Sequence, residues 1–171
     1  MPDAATLTLV LGGARSGKSR HAEALVEACA RPWIYLATAQ AFDDEMRARI
    51  AQHRARRSPN WQTHETTLEA PEFLAQVPVG RPLLMDCATF WLTNVMLAGR
   101  DAEAECRRLV DVLRKPRGPW VIVSNEVGSG IVPENALARR FADEAGKLNQ
   151  AIAACADTVL LMVAGIAIRV K

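Results

Sequence analysis

The sequence lacks the features that mark zinc-binding, disulfide-rich, membrane-spanning, secreted and nucleic-acid-binding proteins. Its four cysteines show no C-x-x-C spacing, so they predict neither a zinc site nor a disulfide framework. No apolar run is long enough to cross a membrane, and the first residues lack the basic segment of a signal peptide. The formal net charge of +2 is too small to predict nucleic-acid binding. We therefore expect a cytoplasmic protein with reduced cysteines.

The chain also lacks internal repeats, low-complexity tracts and a recognisable domain linker. Its length of 171 residues suits one domain, and half of those residues are hydrophobic, which allows a substantial core. We therefore expect residues 1–171 to form a single unit.

One motif organises the rest of the chain. It fits G-x-x-x-x-G-K-[ST], the phosphate-binding loop, and consists of Gly12, Gly13, Ala14, Arg15, Ser16, Gly17, Lys18 and Ser19. An apolar stretch precedes it and a helix-forming stretch follows it, which is the context that the motif needs. Its glycines permit a tight turn whose backbone N–H groups point at anionic oxygens. Lys18 would reach the β- and γ-phosphates and Ser19 would hold Mg²⁺; the alternative is a glycine turn that matches by chance.

Strand-like and helix-like stretches alternate along the whole chain. Strands are predicted at residues 7–11, 33–38, 61–65, 82–87, 120–124 and 158–163, with an edge strand at 166–171. Helices are predicted at residues 20–28, 43–57, 68–77, 101–114 and 133–155. The apolar stretch 89–97 is expected to pack in the core or between subunits. This alternation predicts an α/β fold with a largely parallel sheet.

Polar residues follow several of these strands, at the edge where open α/β sheets bind ligands. Thr38, Ala39 and Gln40 follow the second strand, and Asp86 lies at the end of the fourth. In phosphate-loop enzymes an Asp at a strand tip helps to hold Mg²⁺, although Asp is also a common turn former. The loop upstream favours the metal role. Glu126 follows a later strand, where it would help a metal or substrate or hydrogen-bond its own loop.

The second predicted helix allows two interpretations. Met46 and Ile50 lie on one face, while Glu45, Arg49 and His53 share another. This pattern is typical of a charged helix exposed to solvent. The other interpretation is that an imidazole beside several arginines meets a nucleotide phosphate as a base or a nucleophile.

These segments together resemble one enzyme family, the bifunctional adenosylcobinamide kinase/adenosylcobinamide-phosphate guanylyltransferases of adenosylcobalamin (vitamin B12) biosynthesis. The resemblance covers nearly the whole chain. It rests on residues 12–23, 35–40 and 43–46, on Arg49, Ile50 and His53, on Thr93 and Asn94, and on residues 124–135. The phosphate loop alone is generic, whereas the Asn-Glu-Val-Gly segment that runs into Val-Pro-Glu-Asn is far more specific.

The resemblance implies a RecA-like P-loop NTPase fold in three layers, assembled as a homotrimer. It implies that ATP or GTP, with Mg²⁺, phosphorylates the aminopropanol hydroxyl of adenosylcobinamide. A second reaction then transfers GMP from GTP to the new phosphate through a guanylylated histidine, which falls on His53, with Lys18 acting in phosphoryl transfer. The family's nucleotide contacts fall on residues 12–19 and on Thr38, Ala39, Gln40, Arg54, Ala55, Arg56, Arg57, Glu65 and Asp86, and its metal contacts on Ser19 and Asp86.

Two departures from the family pattern bear on this assignment. Ala39 stands where the family often has Ser, which removes a hydroxyl from that contact. Gln52 stands where some relatives carry a second histidine, so His53 is the one candidate in its helix. Because the loop cradles phosphates as a kinase needs, guanylylation requires either a second binding mode of the nucleotide or a movement of the helix that carries His53.

Two rival functions stay open at this stage. One is an ordinary P-loop small-molecule kinase in which His53 is structural. The other is a nucleotide-dependent switch, against which the lack of an N-K-x-D motif counts. We expect His21 to make a local hydrogen bond and assign no role to His64. The corrinoid site is also open, and an interface between subunits is our hypothesis for it.

Overall fold

The computed structural model describes residues 4–41 and 43–171. Its strands are β1 (Thr6–Gly12), β2 (Trp33–Ala37), β3 (Trp61–Glu65), β4 (Leu83–Asp86), β5 (Pro119–Asn125), β6 (Thr158–Val163) and β7 (Ile166–Arg169). They form one sheet in the order β3-β2-β4-β5-β1-β6-β7. Neighbours run parallel, except that β7 is antiparallel to β6. The predicted α/β fold with a largely parallel sheet is confirmed.

Helices connect the strands over both faces of the sheet. They are α1 (Lys18–Glu27), α2 (Asp44–Arg56), α3 (Ala70–Gln76), α4 (Ala88–Leu97), α5 (Ala102–Leu113) and α6 (Ala136–Cys155). The side chains of Asp43, Asp101 and Asn135 accept backbone N–H groups at the starts of α2, α5 and α6, which explains where these helices begin. In the part of the chain that the structure describes, no helix combines the length and apolar character needed to span a membrane.

The core has two halves, one on each face of the sheet. Leu7 and Leu9 of β1 point into the half that lies under α3, α4, α5 and α6, whereas Val10 points into the half under α1, because successive side chains on a strand face opposite ways. We call the second side the α1 face. Since both faces are covered, the strands can be apolar almost throughout.

The apolar stretch 89–97 lies within α4, whose Trp91, Leu92 and Val95 are completely buried. The core position is therefore the correct one of the two alternatives that the sequence left for this stretch. Its last residue, Leu97, is 61% exposed, because it lies at the end of the helix where the sheet no longer covers it.

The parallel arrangement brings the carboxyl ends of six strands to one edge of the sheet. In the register of neighbouring strands, Glu65 is paired with Ala37, Ala37 with Asp86, and Asn125 with Gly12. Polar residues that are far apart in the sequence thus follow one another along a single edge, where ligands bind in such sheets.

Candidate active site

The phosphate-binding loop joins β1 to α1 at this edge. A Cβ on Gly12 would lie 2.4 Å from the hydroxyl oxygen of Ser16 and 3.1 Å from the carbonyl oxygen of Met162, so a side chain here would displace the Ser16 hydroxyl and crowd β6. Gly17 has a φ of 90°, in the left-handed region that glycine adopts at little cost. The N–H of Glu126 donates to the Gly12 carbonyl, and that of Gly165 to the Ser16 carbonyl, both at 3.0 Å. The loop is thereby held from both neighbouring strand ends.

Lys18 and Ser19 lie in the first turn of α1. The N–H groups of this turn have no partners within the helix, which makes a helix N-terminus a site for anions. Lys18 Nζ donates to the Gly13 carbonyl at 2.9 Å, so the ammonium group lies across the loop. Gly13, Ala14 and Arg15 are exposed, which leaves the outer side of the loop accessible to phosphate groups.

Asp86 lies at the end of β4 on the α1 face. Leu84, two residues earlier, belongs to the core under α1, and side chains two apart on a strand share a face. Burial and the charge of Asp86 raise the pKa of the Cys87 thiol to about 11, whereas the charge of Lys18 acts in the opposite direction. Both charges therefore lie close to Cys87, at the same end of the site.

The donor atoms at this end suit a magnesium ion bound together with a nucleotide. The Asp86 carboxylate and the Ser19 hydroxyl are oxygen groups of the kind that Mg²⁺ prefers, and their role as its ligands stays a prediction. Within the residues described, no group of three or more His, Cys, Asp or Glu side chains is placed to hold a metal. Mg²⁺ commonly takes most of its ligands from phosphates and water, so a site with few protein ligands is compatible with it.

Thr38 is buried, and its polar groups are used within the protein. Its hydroxyl donates to the Cys87 carbonyl at 2.7 Å and accepts the Cys87 N–H at 2.9 Å. Its own N–H donates to the Asp86 carbonyl at 3.3 Å, and its carbonyl accepts from Asn94 Nδ2 at 2.8 Å. Thr38 thus ties the ends of β2 and β4 to α4, while its contact with a nucleotide stays a prediction.

A cavity of about 640 Å³ opens at the ends of β2 and β3. It is lined by Ala37, Ala39, Gln40, Ala41, Glu65, Thr66 and Thr67. Its size suits a small-molecule ligand, and three of the predicted nucleotide contacts line it. Since β4 and β5 separate β2 from β1, the cavity lies three strand spacings, about 14 Å, from the phosphate loop along the sheet edge.

Two arginines attach α2 and the turn after it to β2 and β3. The guanidinium of Arg57 lies 3.4 Å from the centre of the Tyr35 ring, and its Nη1 donates to the Thr63 hydroxyl at 3.1 Å. Arg54 forms an ion pair with Glu65 at the mouth of the cavity. The cationic end of α2 therefore lies over the α1 face, because Tyr35 belongs to the core on that side.

His53 shares its degree of burial with three other residues of this segment. Met46, Ile50, His53 and Arg57 are all half-buried, and their spacing defines one helix face. Glu45 is exposed and the side chain of Arg49 lies outside the described residues, so the predicted grouping of Glu45, Arg49 and His53 on one face stays a prediction. Around the helix axis, His53 lies between the face of Met46 and Ile50 and the face of Glu45.

The predicted site residues therefore form three neighbouring groups. The phosphate loop and Asp86 form the first, Ala39, Gln40 and Glu65 the second, and His53, Arg54 and Arg57 the third. Ala55 is exposed on α2, and the side chain of Arg56 lies outside the described residues. The structure brings Arg54 and Glu65, and thus the second and third groups, into direct contact.

Tyr35 is a site residue that the sequence does not predict. It is the one tyrosine of the chain, and its hydroxyl donates to Asp86 Oδ2 at 2.8 Å. Burial, and then the charge of Asp86, raise the pKa of Tyr35 above its usual range, so the hydroxyl stays a donor. Its local sequence is apolar and indicates a strand, and only the sheet register brings it near Asp86.

The fold and the loop together define a RecA-like P-loop NTPase, and solved structures of similar fold agree. The ATPase EscN of the enteropathogenic Escherichia coli type III secretion system has a TM-score of 0.57 at 12% identity, covering 94% of this chain and 43% of EscN. The RadB recombinase has a TM-score of 0.52 at 16% identity, covering 93% of this chain and 74% of RadB. Identities this low show the fold alone.

Sequence relatives then identify the family. Residues 8–170 match the family described as cobinamide kinase / cobinamide phosphate guanyltransferase. The bifunctional adenosylcobalamin biosynthesis protein CobP of Pseudomonas aeruginosa is 46% identical over 166 residues, which cover 95% of this chain and 96% of CobP. The corresponding protein CobU of Escherichia coli is 41% identical over 181 residues, covering 96% and 99%. The chain belongs to this family of kinase/guanylyltransferases, which confirms the resemblance.

Proposed function

We propose that this chain carries out two successive transfers on adenosylcobinamide. In the first, the terminal phosphate of ATP or GTP passes to the aminopropanol hydroxyl and a nucleoside diphosphate leaves. In the second, GMP passes from GTP to His53 with release of pyrophosphate, and then from His53 to the new phosphate. The product is adenosylcobinamide-GDP. Residues 1–171 would perform both reactions as one domain.

The shared face of the sheet is the observation that carries this proposal. The loop leads into α1, and Arg57 holds the end of α2 against Tyr35 on the same α1 face. A nucleotide whose phosphates lie in the loop would therefore have the imidazole of His53 on its own side of the sheet. This placement supports both transfers at one nucleotide-binding edge.

In the kinase reaction the protein has to position and neutralise charge rather than form covalent bonds. The loop N–H groups would bind the phosphates, and Lys18 would exchange the Gly13 carbonyl for phosphate oxygens. Ser19 and Asp86 would hold Mg²⁺, which when bound neutralises charge on the phosphates. Holding both reactants in line removes most of the entropic cost of their encounter.

In the guanylyl transfer a neutral imidazole nitrogen of His53 would attack the α-phosphorus of GTP. A nitrogen–phosphorus bond forms, and the bond from the α-phosphorus to the bridging oxygen breaks as pyrophosphate leaves. Arg54 and Arg57, on the same helix, would stabilise the charge that grows on the α-phosphate. Gln40 and Glu65 in the adjoining cavity would bind the nucleoside.

The oligomeric state and the cellular location of the enzyme are part of the same proposal. On the strength of the family resemblance, we propose a homotrimer in the cytoplasm. Ile131, Val132 and Leu137 are large apolar side chains that are more than half exposed, and they offer surface for such an assembly. Light scattering from the purified protein tests the trimer directly.

Product analysis tests the proposed reactions. The enzyme is incubated with adenosylcobinamide, Mg²⁺ and ATP, and then GTP is added, with corrinoids separated and identified by mass. We expect adenosylcobinamide phosphate before GTP is added and adenosylcobinamide-GDP with pyrophosphate afterwards. Lys18→Ala should abolish the first step and, because the same loop would bind the GTP phosphates, also slow the second step on chemically prepared adenosylcobinamide phosphate. No corrinoid product from the wild type would contradict the proposal.

One observation favours a second candidate, a kinase without the guanylyl step. His53 is half-buried beside Met46 and Ile50, a placement that also suits a structural histidine. This candidate predicts accumulation of adenosylcobinamide phosphate that added GTP does not consume.

A further inference from the structure

The side chain of Tyr35 touches the two halves of the proposed active site at once. Its hydroxyl donates to Asp86 Oδ2 at 2.8 Å, and the face of its ring lies 3.4 Å from the guanidinium carbon of Arg57. The ring is also in edge contact with Trp61, at 5.6 Å between centres and 78° between planes. With 2% of its surface exposed, Tyr35 has no freedom to leave these partners.

The sheet register explains this position. Tyr35 of β2 is paired with Leu84 of β4, and Asp86 lies two residues further along β4 on the same face. Such diagonal neighbours in a sheet are within reach of a long aromatic side chain. On its other side, Tyr35 is paired with Thr63 of β3, the residue that accepts the Arg57 hydrogen bond. Arg57 is thus anchored at two adjacent points of the sheet.

We propose that Tyr35 is a positioning residue that holds Asp86 by its hydroxyl and Arg57 by its ring, and so aligns the magnesium end of the site with the helix that carries His53. This inference rests on the proposed function, because it takes the roles of Asp86 and His53 from there. In this proposal Tyr35 contacts neither the nucleotide nor the corrinoid. It acts through Asp86 and Arg57, the two residues that it holds.

The two contacts are chemically separable, which makes the inference testable. Tyr35→Phe removes the hydroxyl and keeps the ring under Arg57. Tyr35→Leu removes both. Trp33→Phe is the matched control, because Trp33 is an equally buried aromatic of the same strand whose Nε1 donates a 2.9 Å bond to the Cys29 carbonyl, at the end of β2 remote from the site.

The first measurement is the affinity for a fluorescent N-methylanthraniloyl derivative of GTP, titrated with and without Mg²⁺. Because a hydrogen bond to a charged carboxylate is among the stronger ones, we expect Tyr35→Phe to weaken Mg²⁺-dependent binding about ten-fold. Binding in EDTA should change less than two-fold, because the loop contacts are intact. Trp33→Phe should match the wild type in both conditions. Equal Mg²⁺ dependence in Tyr35→Phe and the wild type overturns the Asp86 half of the inference.

The second measurement is the rate of guanylyl-adduct formation at saturating GTP and Mg²⁺, read by intact mass. We expect Tyr35→Leu to form the adduct about five-fold more slowly than Tyr35→Phe, the size of one cation–π contact, because only the leucine variant also loses the ring under Arg57. Arg57→Gln removes the same contact from the helix side and should be slowed at least as much, even if Tyr35→Leu does not fold. Wild-type rates in Arg57→Gln overturn the Arg57 half.

Failure of the proposed function gives a different result. In that case the wild type itself forms no adduct, whereas the Mg²⁺ titration still compares Tyr35→Phe with Trp33→Phe.

Discussion

Thr38 and Cys87 exchange two hydrogen bonds across the gap between the ends of β2 and β4. The Thr38 hydroxyl donates to the Cys87 carbonyl at 2.7 Å and accepts the Cys87 N–H at 2.9 Å. Both residues are buried, so no water replaces these bonds. One hydroxyl thereby fixes the backbone that follows Asp86, and with it the direction of the carboxylate.

Two substitutions of Thr38 distinguish the contribution of its hydrogen bonds to stability from that of its shape. Thr38→Val keeps the volume but leaves the Cys87 N–H buried without its partner, whereas the Cys87 carbonyl keeps the Trp91 N–H. The free energy of unfolding should therefore fall by about 1–3 kcal/mol. Thr38→Ser keeps the hydroxyl and should lose less. Urea denaturation followed by circular dichroism measures both. Equal stability of the two variants would show that the hydroxyl does not hold this junction.

The loop glycines offer a matched pair of substitutions. A Cβ on Gly12 would lie 2.4 Å from the Ser16 hydroxyl and 3.1 Å from atoms of Met162, whereas a Cβ on Gly13 would meet nothing within 4 Å. Gly12→Ala should therefore distort the loop and cost about 1–3 kcal/mol of stability, together with most of the affinity for GTP. Gly13→Ala should unfold like the wild type. Thermal unfolding and GTP titration distinguish them, and similar behaviour of the two would contradict the loop geometry.

The Arg54–Glu65 ion pair is exposed, with 54% and 57% of the two side chains accessible. Exposed pairs contribute little to stability, so Glu65→Gln should leave the melting temperature unchanged. Because Glu65 lines the cavity, we expect the affinity of Glu65→Gln for GTP to be about ten-fold lower than that of the wild type.

Two comparisons make this prediction specific. Glu65→Gln should bind inorganic triphosphate as the wild type does, because the phosphates lie at the loop. Glu69→Gln breaks a similar exposed pair with Arg100 outside the cavity and should bind GTP normally. A loss of triphosphate binding in Glu65→Gln would place this residue at the phosphates instead.

Local patterns were sufficient to predict most of the fold. The phosphate loop, the strand before it and the helix after it follow from the spacing of glycine, lysine and apolar residues. The starts of α2 and α5 agree to within one residue with the predictions at residues 43 and 101. In contrast, α6 begins at Ala136 rather than at residue 133, because the side chain of Asn135 caps the helix there.

The contacts between distant segments could not be predicted in this way. Tyr35 meets Asp86 across 51 positions of the sequence, and Thr38 meets Asn94 across 56. Each pairing depends on strand order and register, which no short window of the sequence contains. His53 shows a further limit, since its angle on α2 suits either face and only packing against the sheet decides between them.

Covalent guanylylation of His53 is the central claim, and intact mass after incubation with GTP and Mg²⁺, without corrinoid, tests it most directly. The measurement compares the wild type with His53→Ala and with His64→Ala, which removes an exposed histidine of β3 whose ring centre lies 4.7 Å from that of Phe73. The account predicts an acid-labile guanylyl adduct on the wild type and on His64→Ala, and none on His53→Ala although it still binds GTP. An adduct that persists in His53→Ala, or a wild type that binds GTP and forms none, would contradict it.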